Sequence, residues 1–121
     1  MRSSKNFKEE EFNCKCSMCG MKVPHSMQPE VINAVQMLRD ALGRPLTITS
    51  GYRCAIHPSE AKKSTPGQHN KGLAVDIRAS NGAEAFELIR AGLSLGATGF
   101  AYGNGFIHLD WRESTPVTWK Y

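Results

Sequence analysis

Gln68-His69-Asn70-Lys71-Gly72-Leu73-Ala74-Val75-Asp76-Ile77, answered further along by Phe106-Ile107-His108-Leu109-Asp110, decides how this chain is read. Both segments carry the alternation of a half-buried strand. In the first, Leu73, Val75 and Ile77 share one face, while Ala74, Asp76 and Arg78 share the other. In the second, Ile107, Leu109 and Trp111 oppose Phe106, His108 and Asp110. If the apolar sets face the core, Asp76 and His108 stand on the opposite, open face. His69 lies just ahead of its strand, in a loop able to fold over that face. Singly, these are a loop histidine, a surface carboxylate and a packed strand residue. Grouped by the alternation, two imidazoles and a carboxylate make a zinc-ligand set with a fourth position left for water, the arrangement of catalytic rather than structural zinc.

The surrounding elements follow from this pair of strands. A helix is expected from Ser26 as N-cap, with Pro29 and Glu30 in its first turn and Val31, Val35, Leu38 and Leu42 on one face. Gly43 ends it and Arg44-Pro45 prevents its continuation. Leu46-Thr47-Ile48-Thr49 reads as a strand. Residues 50–71 form a long loop rich in Gly, Pro, Ser and His, a type of segment that is usually functional or mobile. A second helix follows Ser80-Asn81-Gly82, with Phe86, Ile89 and Leu93 assigned to its inner face and Gly96 at its end. Residues 98–102 and 106–111 pair as a hairpin around Gly103-Asn104-Gly105. The expected class is α+β: a small, partly antiparallel sheet, two main helices and a zinc cleft on the open sheet face.

With 121 residues, the chain is expected to be a single domain over residues 1–121, residues 1–25 forming an irregular arm held by Phe7, Phe12 and cysteines. No apolar run reaches membrane-spanning length, and the N-terminus lacks the apolar core of an export signal, so synthesis in the bacterial cytoplasm is expected. The formal charge of +4 suits an anionic polymer such as cell wall. Apart from Lys62-Lys63 the basic residues are scattered and not interleaved with aromatics, which argues against nucleic acid as a partner. Cys14, Cys16 and Cys19 cluster, and Cys54 follows at a distance. Four thiolates suffice for a closed tetrahedral zinc, and disulfides are the competing use.

Ser50-Gly51-Tyr52-Arg53, the His69-x6-Asp76 pair and Phe106-Ile107-His108-Leu109-Asp110 together resemble metallopeptidase family M15. That group includes zinc D-Ala-D-Ala carboxypeptidases and phage peptidoglycan endopeptidases, and it shares a zinc core with the hedgehog signalling domain. Asn6-Phe7-x4-Phe12-x-Cys14, Gly43-Arg44-Pro45-Leu46 and Trp119-x-Tyr121 resemble its small phage and prophage branch. The resemblance implies His69, Asp76 and His108 as zinc ligands and Arg53 as the cation that steadies the oxyanion. It also implies hydrolysis of an amide bond in peptidoglycan stem peptides; a monomer is expected, and the missing export signal fits delivery to the wall by phage release or in a virion. The chain departs from the pattern where the family places its general base: those positions hold Gly105 and Phe106, and Gly67 replaces a usual serine. Asp110, on the face of His108, is the substitute proton shuttle or, alternatively, a support for a ligand; Glu113 is held in reserve. A catalytically weak wall-binding module is the alternative function. His57, in the loop of Arg53, is read as touching substrate or stabilising its turn, and His25 as structural or solvated.

Overall fold

The structure, a computed structural model, describes residues 5–16, 19, 25–57 and 67–121. Lys62-Lys63, the middle of the long loop and parts of the N-terminal arm lie outside the described residues. Within the arm, a 3-10 turn spans Glu9–Phe12, and the Lys8 backbone N–H donates to Glu11 Oε2 at 2.7 Å.

Helix α1 spans Pro29–Leu42, and its ends obey the expected chemistry with one shift. Gln28, rather than Ser26, is the N-cap; it makes no side-chain cap, and its backbone N–H donates to the Gly72 carbonyl at 3.0 Å. Gly72 has φ +74°, and a Cβ there would collide with the Ser26 carbonyl, so this crossing of two chain segments requires glycine. Gly43 closes the helix in the left-handed conformation, φ 66°. Val31, Val35 and Leu38 are buried and Leu42 packs at the core's edge, as their spacing predicts.

Helix α2 spans Gly82–Ser94. Asn81 Oδ1 accepts the Glu84 N–H, and Glu84 Oε1 accepts the Ser80 N–H, so its first turn is satisfied from both sides. The inner face differs from the expected Phe86, Ile89 and Leu93. Ala85, Leu88 and Gly92 point inward, Ile89 is half-buried, and Phe86 and Leu93 are 63% and 45% exposed. The reason is close packing: a Cβ on Gly92 would come within 2.8 Å of Leu109 Cδ1. The small-residue stripe lets the helix lie against the sheet, and the bulkier stripe is left outside.

Five strands form one sheet in the order β1-β2-β4-β3-β5. They span Ile48–Ser50 (β1), Ala74–Arg78 (β2), Gly99–Tyr102 (β3), Phe106–Asp110 (β4) and Val117–Lys120 (β5). β1, β2, β4 and β3 pair antiparallel in turn, and β5 pairs parallel to β3. β1 starts later than the Leu46–Thr49 run suggested, and β5 was not expected. Val75, Ile77, Ile107 and Leu109 join Val31, Val35, Leu38 and Leu88 in one core. The α+β class therefore holds, with both helices contributing to the core on the apolar face of the sheet.

The opposite face carries a row of partners across all five strands: Ser50, Asp76, His108, Ala101 and Trp119. The next row is Ala74, Asp110, Gly99 and Val117. This face was expected to be open. Instead His69, Asp76, His108 and Asp110 are all buried, and Trp119 and Tyr121 pack on the His108 ring.

The helix register is testable. Leu88→Ala should cost about 2–5 kcal/mol of stability in urea unfolding, the range for a buried leucine, whereas Phe86→Ser should leave the midpoint nearly unchanged.

Candidate metal centre

β2 and β4 place Asp76 and His108 as direct cross-strand partners, and the turn before β2 swings His69 over them. His69 Nε2, Asp76 Oδ1 and His108 Nδ1 form a triangle with sides of 3.2, 3.1 and 3.2 Å. Each imidazole is oriented by its other nitrogen. His69 Nδ1 lies 2.7 Å from the Gly51 carbonyl, which can only accept, so Nδ1 carries the proton and Nε2 turns a lone pair inward. His108 Nε2 lies 2.8 Å from Asp110 Oδ2, so it too donates outward and presents Nδ1 to the triangle. Three electron-rich atoms thus face one another in a buried space, where lone pairs repel unless a cation or a proton lies among them.

The donor set fits zinc. Nitrogen and oxygen ligands about 2.0–2.1 Å from a tetrahedral ion stand roughly 3.4 Å apart, close to the separations here. The outward hydrogen bonds from both histidines are the support that metal-ligating imidazoles require.

Titration follows from the same contacts. Burial lowers the His69 pKa and outweighs the pull of Asp76. His108 is likewise buried, but the carboxylates of Asp110 and Asp76 overcome that effect and raise its pKa. In Asp76, burial is overcome by the adjoining His108 and His69 imidazoles, and its carboxyl falls well below the usual range. In Asp110 the opposing partners are Arg112 and His108, with the same result.

Arg53 stands beside this triangle. Its Nη2 donates to Asp76 Oδ2 and its Nε to Ser50 Oγ, both at 3.1 Å. Its backbone is fastened as well: Arg53 N–H donates to the His69 carbonyl, and Asn70 Nδ2 donates to the Arg53 carbonyl at 2.8 Å. The turn carrying it is pressed onto the arm, since a Cβ on Gly51 would lie 2.9 Å from the Phe12 carbonyl oxygen and Tyr52 N–H donates to that same oxygen.

Asp110 lies behind His108, not before the triangle. It is fully buried and engaged by His108 and by two bonds from the Arg112 side chain, at 2.9 and 2.7 Å. Its carboxylate thus meets His108 Nε2, on the side of the ring away from the triangle. Gly99 makes the carboxylate's place: any Cβ there would run into it. Glu113 is exposed and Gly105 and Phe106 offer no base. His25 is buried against Phe12, and its Nδ1 accepts the Met27 N–H. His57, half-buried, donates its backbone N–H to the Cys54 carbonyl.

Three residues of the site were missed as participants. The Trp119 ring lies 4.9 Å from the His108 ring and 5.1 Å from the Arg112 guanidinium carbon. Tyr121 Oη comes within 3.3 Å of His108 Nδ1, and burial chiefly raises its pKa, keeping the phenol a donor at neutral pH. Arg112, two residues after Asp110, was the readable signal, since a buried carboxylate needs a partner. A cavity of about 410 Å³ bordered by Phe106, Lys120 and Tyr121 adjoins the site but includes none of the triangle's residues.

A family model described as Peptidase M15 matches residues 5–110, and the chain belongs to that family of metallopeptidases. No curated protein matches it.

The Asp110 pairing predicts a pH signature. Its pKa is depressed in the folded chain, so its stabilising contribution is present above the unfolded value of about 3.9 and is lost as pH falls through the folded value. In excess chelator, the urea stability gap between the native chain and Asp110→Asn should be widest near neutrality and narrow below about pH 4.

Proposed function

We propose that this M15 chain is a zinc-dependent peptidase that hydrolyses an amide bond in peptidoglycan stem peptides. The observation that carries this reading is the buried triangle of His69 Nε2, Asp76 Oδ1 and His108 Nδ1, whose two imidazoles are both tied outward. These three atoms would hold the ion. When bound, zinc supplies a Lewis acid and a means of generating a nucleophile from water at neutral pH.

The chain's own groups do the rest. Arg53 is held at the edge of the triangle by Ser50 and Asp76, where a guanidinium can meet the substrate carbonyl oxygen as its negative charge grows. Tyr121 brings a protonated phenol to the same edge and can donate to substrate. Asp110 and Arg112 keep the His108 ring turned so that Nδ1 faces inward. Trp119 lies over the ring and excludes water from its outer side.

Peptidoglycan is supported by the family and by the positive charge of +4, which favours an anionic wall polymer. The reaction class spans removal of a terminal D-alanine and endolysin-type cleavage within the stem peptide. Among the described residues, no helix is long and apolar enough to cross a membrane. Delivery to the wall through phage or prophage lysis, or in a virion, fits this reading, as does action by a monomer without nucleic acid. A zinc-containing wall-binding module is the second reading, favoured by one observation: Gly105 and Phe106 stand where the family keeps its base.

Purified peptidoglycan separates the two. A peptidase releases new muropeptides, identified by mass spectrometry, and loses this activity in chelator with recovery on adding zinc. Sedimentation with the wall but no released product would establish the binding module instead. Arg53→Ala should fold and retain metal while turnover falls on the order of a hundredfold or more. Unchanged turnover would remove Arg53 from the mechanism.

A further inference from the structure

The four cysteines form a second side-chain cluster, apart from the triangle of His69, Asp76 and His108. Cys14, Cys16 and Cys19 come from the N-terminal arm, and Cys54 directly follows Arg53. Their sulfurs all lie within 4.8 Å of one another. Cys14, Cys16 and Cys54 are buried and Cys19 is half-buried.

The distances discriminate between the two uses of four thiols. Cys16 Sγ lies 3.4 Å from Cys14, 3.4 Å from Cys19 and 3.6 Å from Cys54, and Cys14 lies 3.5 Å from Cys54. Disulfides would sort four cysteines into pairs, one partner close and the others remote. Here Cys16 has three near-equal neighbours and favours none. Near-equal spacing is what a central ion imposes: with bonds of about 2.3 Å to a tetrahedral zinc, sulfurs stand roughly 3.8 Å apart.

We propose that Cys14, Cys16, Cys19 and Cys54 bind a second, structural zinc ion as a closed tetrathiolate, and that this ion fixes the turn presenting Arg53. Binding releases four protons, one from each thiol, and leaves the zinc with four sulfur ligands and no position for substrate. The four ligand atoms are all thiol sulfurs, so softer thiophilic ions are preferred over calcium or magnesium. Its mechanical role follows from chain order. Arg53 is flanked by Cys54 on one side and by Tyr52 on the other, and Tyr52 N–H is bonded to Phe12 of the same arm. The arm thus grips the turn at two points. Small domains supplement a limited core with a metal in this manner. The thiolate site stands whether or not the chain is a peptidase; only the consequence for Arg53 rests on that reading.

The experiment uses the full chain purified in zinc-containing medium without added chelator. Elemental analysis should give two zinc ions per native chain, and one each in His69→Ala and in Cys19→Ser. Cobalt substitution should produce the intense thiolate-to-cobalt absorption of a sulfur-rich tetrahedral site, retained in His69→Ala and lost in Cys19→Ser. The native thiols should resist a disulfide reagent until the chain is unfolded in excess chelator, after which four react. If Cys19→Ser fails to fold, the native chain alone decides through its cobalt spectrum and thiol count. One zinc and no titratable thiols after unfolding would establish disulfides and overturn the proposal. One zinc with four freely reacting thiols would overturn it equally, as would iron in place of the second zinc.

Discussion

Two outward hydrogen bonds govern the site: His69 Nδ1 to the Gly51 carbonyl and His108 Nε2 to Asp110. Each fixes which nitrogen carries a proton, and so which nitrogen turns toward Asp76. A 180° flip of either ring would replace an inward lone pair with a carbon and leave a buried acceptor without its donor. The rest of the centre can be read as the support these bonds need. Gly51 presents its carbonyl because the turn lies flush against Phe12, which a side chain at Gly51 would prevent. Asp110 fits behind His108 because Gly99 has no Cβ, and it remains ionised because Arg112 answers its charge. Burying a carboxylate without these partners would cost several kcal/mol.

Side-chain size across the sheet extends the same logic. Ala101 separates His108 from Trp119 in one cross-strand row, and because it is small the indole reaches across to the imidazole. Arg112 is then held between the Trp119 ring and the Asp110 carboxylate. Aromatic face, guanidinium, carboxylate and imidazole form a connected sequence of contacts that ends at His108 Nδ1. Its members lower one another's mobility, and low mobility in supporting groups keeps a ligand lone pair aimed.

Much of this was legible in the sequence because the alternation of β2 and β4 is strict. Leu73, Val75 and Ile77 against Asp76, and Ile107 and Leu109 against His108, leave a single register that buries the apolar set. Asn81 and Gly43 marked helix ends through local chemistry that tertiary contacts did not override. The failures lie where packing distance, not residue type, decides. Phe86 and Leu93 are more hydrophobic than Ala85 and Gly92, yet the inner face of α2 is set by how closely it approaches Leu109. β5 escaped notice because Val117–Lys120 is short and exposed on its edge, and because its parallel pairing leaves no hairpin turn to read. Asp110 was correctly assigned to the face of His108, but alternation alone does not say whether a residue two positions along lies before or behind the ring.

β2 and β4 alone would hold Asp76 and His108 on a sheet face open to water, where two imidazoles and a carboxylate repel little and bind metal weakly. The burial that sharpens their electrostatics comes from segments remote in sequence. Trp119 and Tyr121 cover His108, while Phe12 supports the turn that supplies Gly51 and Arg53. The fold thus divides its labour. The helices stabilise the sheet from its apolar face, and the arm and β5 convert the other face into a low-dielectric site. Arg53 lies where these contributions meet: its guanidinium is bonded to Asp76 on β2, its backbone to His69, and its preceding residue to the arm. The arm therefore bears on the turn of Gly51, Tyr52 and Arg53 through Phe12. Gly51, whose carbonyl meets His69 Nδ1, and Arg53 both depend in this way on how the arm is fastened.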